Sequence, residues 1–316
     1  MGLLDNYVIP QVWRDSLPFT IPERSKLFTS TAVMQDTDPP FKNAGIHTHV
    51  PFVKEPKQRW EAPSENDLTS YKLAQNKDTM ICITRQIDYV VSKQMLRRSG
   101  TDLGKILYDN VADYVAKQYE LTLIDILKAI YGPTGTLYTS HTVETDTSID
   151  FNTIFKGKSK LGDNADRLAV STYHSKVVNC LREKGMISDM FSWKEKQVET
   201  GSISKVANLQ IIETDLMPTA TIGNKEKYFS FLMADNSIYF ANPYFEVETW
   251  EYPRRGGGEQ HIIISSDFCV HLPGVKYALS SQEPSDTQLK APATWEKIAD
   301  HDKDIKVVAL LTPIAD

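Results

Sequence analysis

The longest regular recurrence of apolar positions in the chain runs from Thr101 to Gly132. Leu103, Leu107, Val111, Tyr114, Leu121, Ile124, Leu127 and Tyr131 recur mostly at steps of three or four residues, the spacing that keeps one stripe of a helix facing one surface. Asp109, Asp113, Lys117, Glu120 and Asp125 fall mostly on the other side. Thr101 or Asp102 can cap the first unpaired N–H groups, and Gly132-Pro133 ends the run. About thirty residues at 1.5 Å each make a rod of about 45 Å. Such a rod outruns one face of a small domain, so it is expected to be a spine on which a sheet lies.

Before the spine the pattern is broken by proline. Residues 1–40 set short apolar anchors against Ile9-Pro10, Leu17-Pro18, Ile21-Pro22 and Asp38-Pro39-Pro40. Proline pushes its predecessor toward extended backbone, which predicts an extended arm. Its aromatics, Trp13, Phe19 and Phe28, predict that this arm lies along the spine or a neighbouring subunit. Residues 41–78 alternate from Ile46 to Val50, break at Pro51 and Pro56, pass a charged tip with Lys54, Lys57, Arg59 and Trp60, and return through Leu68 to Leu73. A two-stranded excursion with so little core is marginal alone, so it is expected to rest on another subunit. From Thr79 the chain turns β-branched, and Lys93, Arg97 and Arg98 then form a basic cluster read as a solvated turn.

After the spine, 133–150 is small and polar around His141. The following stretch predicts a short helix, a Lys160-Leu161-Gly162-Asp163 turn, a strand at Leu168–Ser171 and a helix at His174–Lys184 closed by Gly185. Strands are predicted at Ile203–Ile212, Tyr228–Met233, Ser237–Phe240, Glu246–Tyr252, His261–Ser265 and Phe268–His271. The end predicts a short helix after Thr294 and a closing strand at Ile305–Leu311 that returns to the spine's sheet. The expected class is α+β. Its division is an arm at 1–40, an excursion at 41–78, a spine domain at 79–140, an inserted domain at 141–290 and a return at 291–316.

Composition narrows the function. A length of 316 residues with 41% apolar positions supports substantial cores, and a net charge of −6 argues against a protein that coats nucleic acid. Cys82, Cys180 and Cys269 lie far apart and are expected to be three reduced core thiols of a cytoplasmic protein. No long apolar window predicts a membrane helix, and the start at Met1 lacks the look of a leader or prosegment. The His47-x-His49 pair has no third ligand nearby, Gly256-Gly257-Gly258 lies between two strands as a hairpin tip, and His174-Ser175 lacks a nucleophile elbow. No catalytic, cofactor or metal site is expected. Glu213/Asp215 and Glu246/Glu248 read as solvated faces, or as interface partners for Arg97, Arg98, Arg254 and Arg255 of a neighbour.

Four pieces carry a family resemblance: the spine behind Ser99-Gly100-Thr101-Asp102; Lys160-Leu161-Gly162-Asp163 with the strand and Tyr173-His174-Ser175-Lys176-Val177 after it; His271-Leu272-Pro273-Gly274; and Trp295-Glu296-Lys297 through His301-Asp302-Lys303-Asp304-Ile305. In this order, over nearly the whole chain, they resemble the major capsid proteins of tailed bacteriophages, of the Hong Kong 97 fold. The resemblance implies an N-arm, an E-loop over a neighbour's peripheral domain, a peripheral domain on the spine, and an axial domain. It implies hexamers and pentamers closing an icosahedral shell around double-stranded DNA, with the DNA contacted non-specifically. Portal, scaffolding or cement proteins are further partners in such shells. Scaffolding, if used, is expected to be a separate polypeptide. Some such shells cross-link E-loop lysines to asparagines. Lys42, Lys54 and Lys57 match by position, but no catalytic carboxylate arrangement accompanies them. The alternatives are an encapsulin-like compartment, a tail or decoration protein, and an α/β enzyme.

Overall fold

The computed structural model describes residues 10–36, 47–53, 75–92, 103–187, 205–252, 258–281 and 283–314. The spine forms as one helix of 29 residues, α2 (Leu103–Tyr131), about 44 Å long. Its buried stripe is Val111, Ala112, Val115, Ala116 and Tyr119, and toward its end Leu123, Ile124, Ile126, Leu127, Ile130 and Tyr131 are all covered. Tyr114, expected in the stripe, is 42% exposed; Tyr119 takes that role one turn on. The covered face widens because the helix passes from one sheet to a second.

The first sheet has five strands in the order β1-β10-β11-β3-β2. They are β1 (Val33–Asp36), β2 (His47–Val53), β3 (Gln75–Ser92), β10 (Ile238–Tyr252) and β11 (Glu259–His271). All neighbours are antiparallel except β1, which lies parallel to β10. β2 pairs with β3 from His47↔Ile81 to Val53↔Gln75, with Pro51 opposite Lys77, so the expected two-stranded excursion is rooted in this sheet. Alternation sets the faces: Ile262, Ile264, Phe245 and Val247 are buried toward the spine side, while Asp88, Val90, Glu248 and Trp250 are exposed. The pairs of strands predicted at 237–252 and 261–271 are in fact one long strand each, the first interrupted by a bulge between Ala241 and Tyr244.

The second sheet has seven strands, in the order β4-β14-β9-β5-β7-β6 with β8 paired to β9. These are β4 (Thr142–Glu144), β5 (Leu168–Tyr173), β6 (Lys205–Val206), β7 (Leu209–Glu213), β8 (Thr219–Ile222), β9 (Lys225–Ala234) and β14 (Val307–Pro313). The closing strand is expected to return to the spine's sheet, leaving 141–290 as an insertion between two halves of one domain. Instead β14 lies between β4 and β9, parallel to one and antiparallel to the other. It is β10 and β11 that return beside β3. An apolar strand buried on both faces carries no mark of which sheet it joins, and residues 307–311 are all buried.

Helices α4 (Phe151–Ser159) and α5 (Ser175–Glu183) fall where the sequence put them. Asp150 caps α4 through the Thr153 N–H, and His174 caps α5 through the Lys176 N–H. Gly157 lets α4 approach β14, since a Cβ there would meet Leu310 Cδ2 at 2.7 Å. Shorter helices are α3 (Tyr138–His141) and α6 (Asp286–Leu289). The helix expected after Thr294 is instead a strand, β13 (Trp295–Lys297), paired with β12 (Val275–Tyr277). One large core joins the spine to both sheets, and a second lies between the seven-stranded sheet and α4 and α5.

Residues 10–24 are not extended. They form α1 (Pro10–Arg24) with Pro18 and Pro22 inside it. Trp13, Leu17 and Ile21, spaced by four, bury one stripe against the spine. Each such burial is worth about 1.5–3 kcal/mol, enough with the polar bonds to the spine to offset about 3 kcal/mol per internal proline.

Candidate functional site

The features able to carry function are surfaces and the joints that hold them. Along the spine, Trp13 meets Tyr108 edge-on at 5.4 Å, and Tyr108 Oη lies 3.0 Å from both Ser16 Oγ and Thr20 Oγ1. Arg24 reaches Asp109 at 2.5 Å and Asp113 at 3.4 Å. Ser25 Oγ donates to Glu120 at 2.8 Å, and Glu120 accepts again from Thr214 at 2.7 Å, tying the N-terminal segment, the spine and the loop after β7 together. Phe28 meets Phe240 at a tilt, with ring centroids 4.6 Å apart. Trp13 and Phe28 therefore anchor the segment to its own spine and sheet. Phe19, on the opposite side of α1, is 60% exposed.

At the root of the β2–β3 pair, Cys82 and Cys269 are joined as a disulfide, with Cα atoms 4.4 Å apart. This corrects the expectation of three free thiols; Cys180 alone is free, and buried. A separation of 187 residues hid that β3 and β11 are neighbours. Beside it, buried Asp78 accepts from the Gly274 N–H at 3.0 Å and lies 3.0 Å from His271 Nε2. Gly274 has φ +93°, and a Cβ would crowd Ile305 and Ala299, so glycine fits there. This explains the His271–Gly274 element: it grips the strand that leads into the excursion.

The outer face of the first sheet is aromatic and acidic. Trp250, His261 and Val90 form one row across β10, β11 and β3. Trp250 is 61% exposed, and Tyr244 and Tyr252 are exposed on the same face. His261 Nδ1 meets Asp88 at 2.7 Å, Tyr252 stands edge-on to the imidazole, and Glu246 and Glu248 complete the face.

In the second sheet, Lys227 is buried between Glu144 at 2.6 Å and Asp146 at 2.7 Å. Burial pushes its ammonium down, but the bonds from Asp146 and Glu144 outweigh this and leave it above the usual lysine range. Lys227, with Tyr138, holds the Glu144 carboxyl below its ordinary value. His141 is fully buried, bonded to Ser140 and to the Asp302 carbonyl, and burial pushes it down. His174, weighed as a base, instead caps a helix.

Lys54, Lys57, Arg59, Trp60, Arg97, Arg98, Arg254 and Arg255 lie outside the described residues, as does Lys42. Gly256 and Gly257 also lie outside the described residues, and the strands before and after them, β10 and β11, pair antiparallel. Sequence reading missed the Trp250 face, although its alternation Tyr244, Glu246, Glu248, Trp250, Tyr252 stood in plain view. No described helix is long and apolar enough to cross a membrane.

A spine crossing two sheets, with a two-stranded excursion rooted in one of them, is a Hong Kong 97-like fold. Solved structures share it: the capsid of Ralstonia phage GP4 at 12% identity and TM-score 0.60, covering 90% of this chain and 88% of that one. The head of Helicobacter pylori bacteriophage KHP40 gives 10% identity and TM-score 0.56 over 90% and 87%. The capsid of Helicobacter pylori bacteriophage KHP30 gives 10% identity and TM-score 0.57 over 97% and 92%. No curated protein sequence matches. The model of the Gp13-like family, described as major capsid protein 13-like, matches residues 52–308, and the chain belongs to that family of phage major capsid proteins.

Proposed function

We propose that this chain is the repeating subunit of an icosahedral phage head, assembling as hexamers and pentamers around double-stranded DNA and acting by shape and contact, without catalysis. Family membership supports the role, and one structural observation carries the mode of assembly. The β2–β3 pair leaves the five-stranded sheet beyond Cys82, and a two-stranded excursion lacks a core of its own. A neighbouring subunit supplies the missing surface, and a closed symmetric shell supplies a neighbour to every copy. In this reading residues 41–78 form the E-loop, the five-stranded sheet with the spine forms the peripheral domain, and the seven-stranded sheet forms the axial domain. Phe19 and the Trp250 face are the described surfaces offered to neighbours. Arg97, Arg98, Arg254 and Arg255 are the cations available to meet Glu246 and Glu248 across an interface.

Negative-stain microscopy of the purified protein tests this. Closed particles tens of nanometres across are expected, and a small soluble oligomer would overturn the reading. Nucleic acid inside the particles supports the genome shell, whereas a copurifying enzyme would indicate an encapsulin-like compartment. Trp60→Glu is expected to fold normally, judged by circular dichroism, and to yield no particles. Normal particles from that variant would refute the contact assigned to residues 41–78.

A further inference from the structure

The Cys82–Cys269 bond occupies a singular position in the strand pairing. The β3–β11 ladder begins at Ser92↔Glu259 and ends at Cys82↔Cys269. From Ile81 back to Gln75, β3 is paired with β2. β11 continues past the bond, pairing Val270 and His271 with Phe240 and Tyr239 of β10. The disulfide therefore closes the fork at which the β2–β3 pair departs from the sheet. Directly opposed residues at non-hydrogen-bonded positions of an antiparallel pair stand about 4.5 Å apart, and the two Cα atoms are 4.4 Å apart. The ladder itself thus brings the sulfurs together, joined or not. Both residues are buried, Cys269 fully and Cys82 at 8% exposure, beside Met80 and Ala241. Past the fork, the excursion is held by the non-covalent Asp78–Gly274 and Asp78–His271 contacts.

We propose that Cys82 and Cys269 are a redox-timed staple: thiols while subunits fold and associate, and a disulfide in the finished particle, where the bond fixes the angle at which the β2–β3 pair leaves its sheet. This rests on reading that pair as the contact between subunits and on assembly in a cytoplasm, where small thiols keep cysteines reduced. The oxidant is a low-molecular-weight disulfide met outside that compartment. The thiolate of Cys82, the less buried of the two, attacks one of its sulfurs, forming a mixed disulfide and expelling one small thiolate. The Cys269 thiolate then attacks the Cys82 sulfur, closing the protein bond and expelling the second small thiolate. Two protein thiols are oxidised, one small disulfide is reduced to two thiols, and the two cysteine protons pass to the expelled thiolates. Burial slows exchange in both directions, so the bond, once made, is retained.

The test is thiol mapping. Cells making the protein are quenched in denaturant with N-ethylmaleimide, and purified particles are held with oxidised glutathione before the same treatment. Peptide mass spectrometry is expected to find both cysteines alkylated in the quenched cells and a Cys82–Cys269 cross-linked peptide in the particles. Reduction of those particles is expected to lower their melting temperature on the order of 5 °C. The Cys82→Ala/Cys269→Ala variant is expected to form particles that melt like reduced ones and ignore reductant. Cysteines still open to alkylation after oxidised glutathione would overturn the staple, and so would a cross-link already present in the quenched cells. Wild-type protein that forms no closed particles would count against the capsid reading, whereas closed particles with free thiols count against the staple alone.

Discussion

Trp13 is 5% exposed against Tyr108, while Phe19, six residues on along the same helix, is 60% exposed. The two aromatics are equivalent in composition and opposite in consequence. Removing a buried Trp costs about 3–5 kcal/mol, so Trp13→Ala is expected to lower the denaturant midpoint of the chain, while Phe19→Ser leaves it unchanged within error. Equal midpoints for both variants would show that α1 does not depend on the spine. The sequence held this distinction in the four-residue spacing of Trp13, Leu17 and Ile21. Five prolines in residues 1–40 obscured it, because a proline's local preference is visible in one dipeptide and its tertiary compensation is not. The Cys82–Cys269 pairing was illegible for a related reason: no spacing rule links residues brought together only by a ladder.

At the scale of elements, β4, β9 and the loop after β4 are fastened by Lys227 with Glu144 and Asp146. The two sides of this joint are unequal. Asp146 is 79% exposed at its side chain and can be rehydrated; Lys227, at 2%, cannot. Replacing both carboxylates, Glu144→Gln/Asp146→Asn, strands a buried ammonium and is expected to cost about 3–5 kcal/mol. Lys227→Met is expected to cost less. The pH dependence follows from the same joint. Glu144 lies below its ordinary value when folded, so its contribution is complete above the normal carboxylate range and drains away as pH falls through the depressed folded value. Melting temperatures recorded from pH 7 down to pH 3 are expected to drop more steeply for the natural chain than for Glu144→Gln. Parallel curves would remove Glu144 from the account. Elements with local marks were readable, such as the spine, α4, α5 and the turn at Gly162, since caps and periodicity lie within a few residues. Sheet membership of β14 was not, because the apolar run Val307–Leu311 suits the middle of either sheet.

For the whole molecule, both sheets share one core through the spine. Tyr119 contacts Phe240 and Phe268 of the first sheet, and Tyr131, twelve residues later, contacts Phe231 of the second. A tilt of either sheet must therefore carry the helix with it. The outer face around Trp250 takes no part in that core, and its aromatic and acidic mixture suits an interface with a cationic neighbour. Trp250→Glu is expected to leave the melt of the isolated chain unchanged and to reduce particle yield at least tenfold by sedimentation. Full yield would remove that face from the contacts between subunits. The class of protein was legible in the order of four short motifs, but the face was not, because exposure depends on strands whose partners lie far along the chain.

The two outer strands of the five-stranded sheet have a consequence for storage at high concentration. One is the four-residue β1, and the other, β2, carries Pro51 in its middle. A proline within a paired edge strand turns its missing donor outward, and among the described residues no strand lies beyond β2. Ribbons that grow by adding chain after chain along such a border would lose a hydrogen bond at every addition. Such a border steers the chain away from endless fibres.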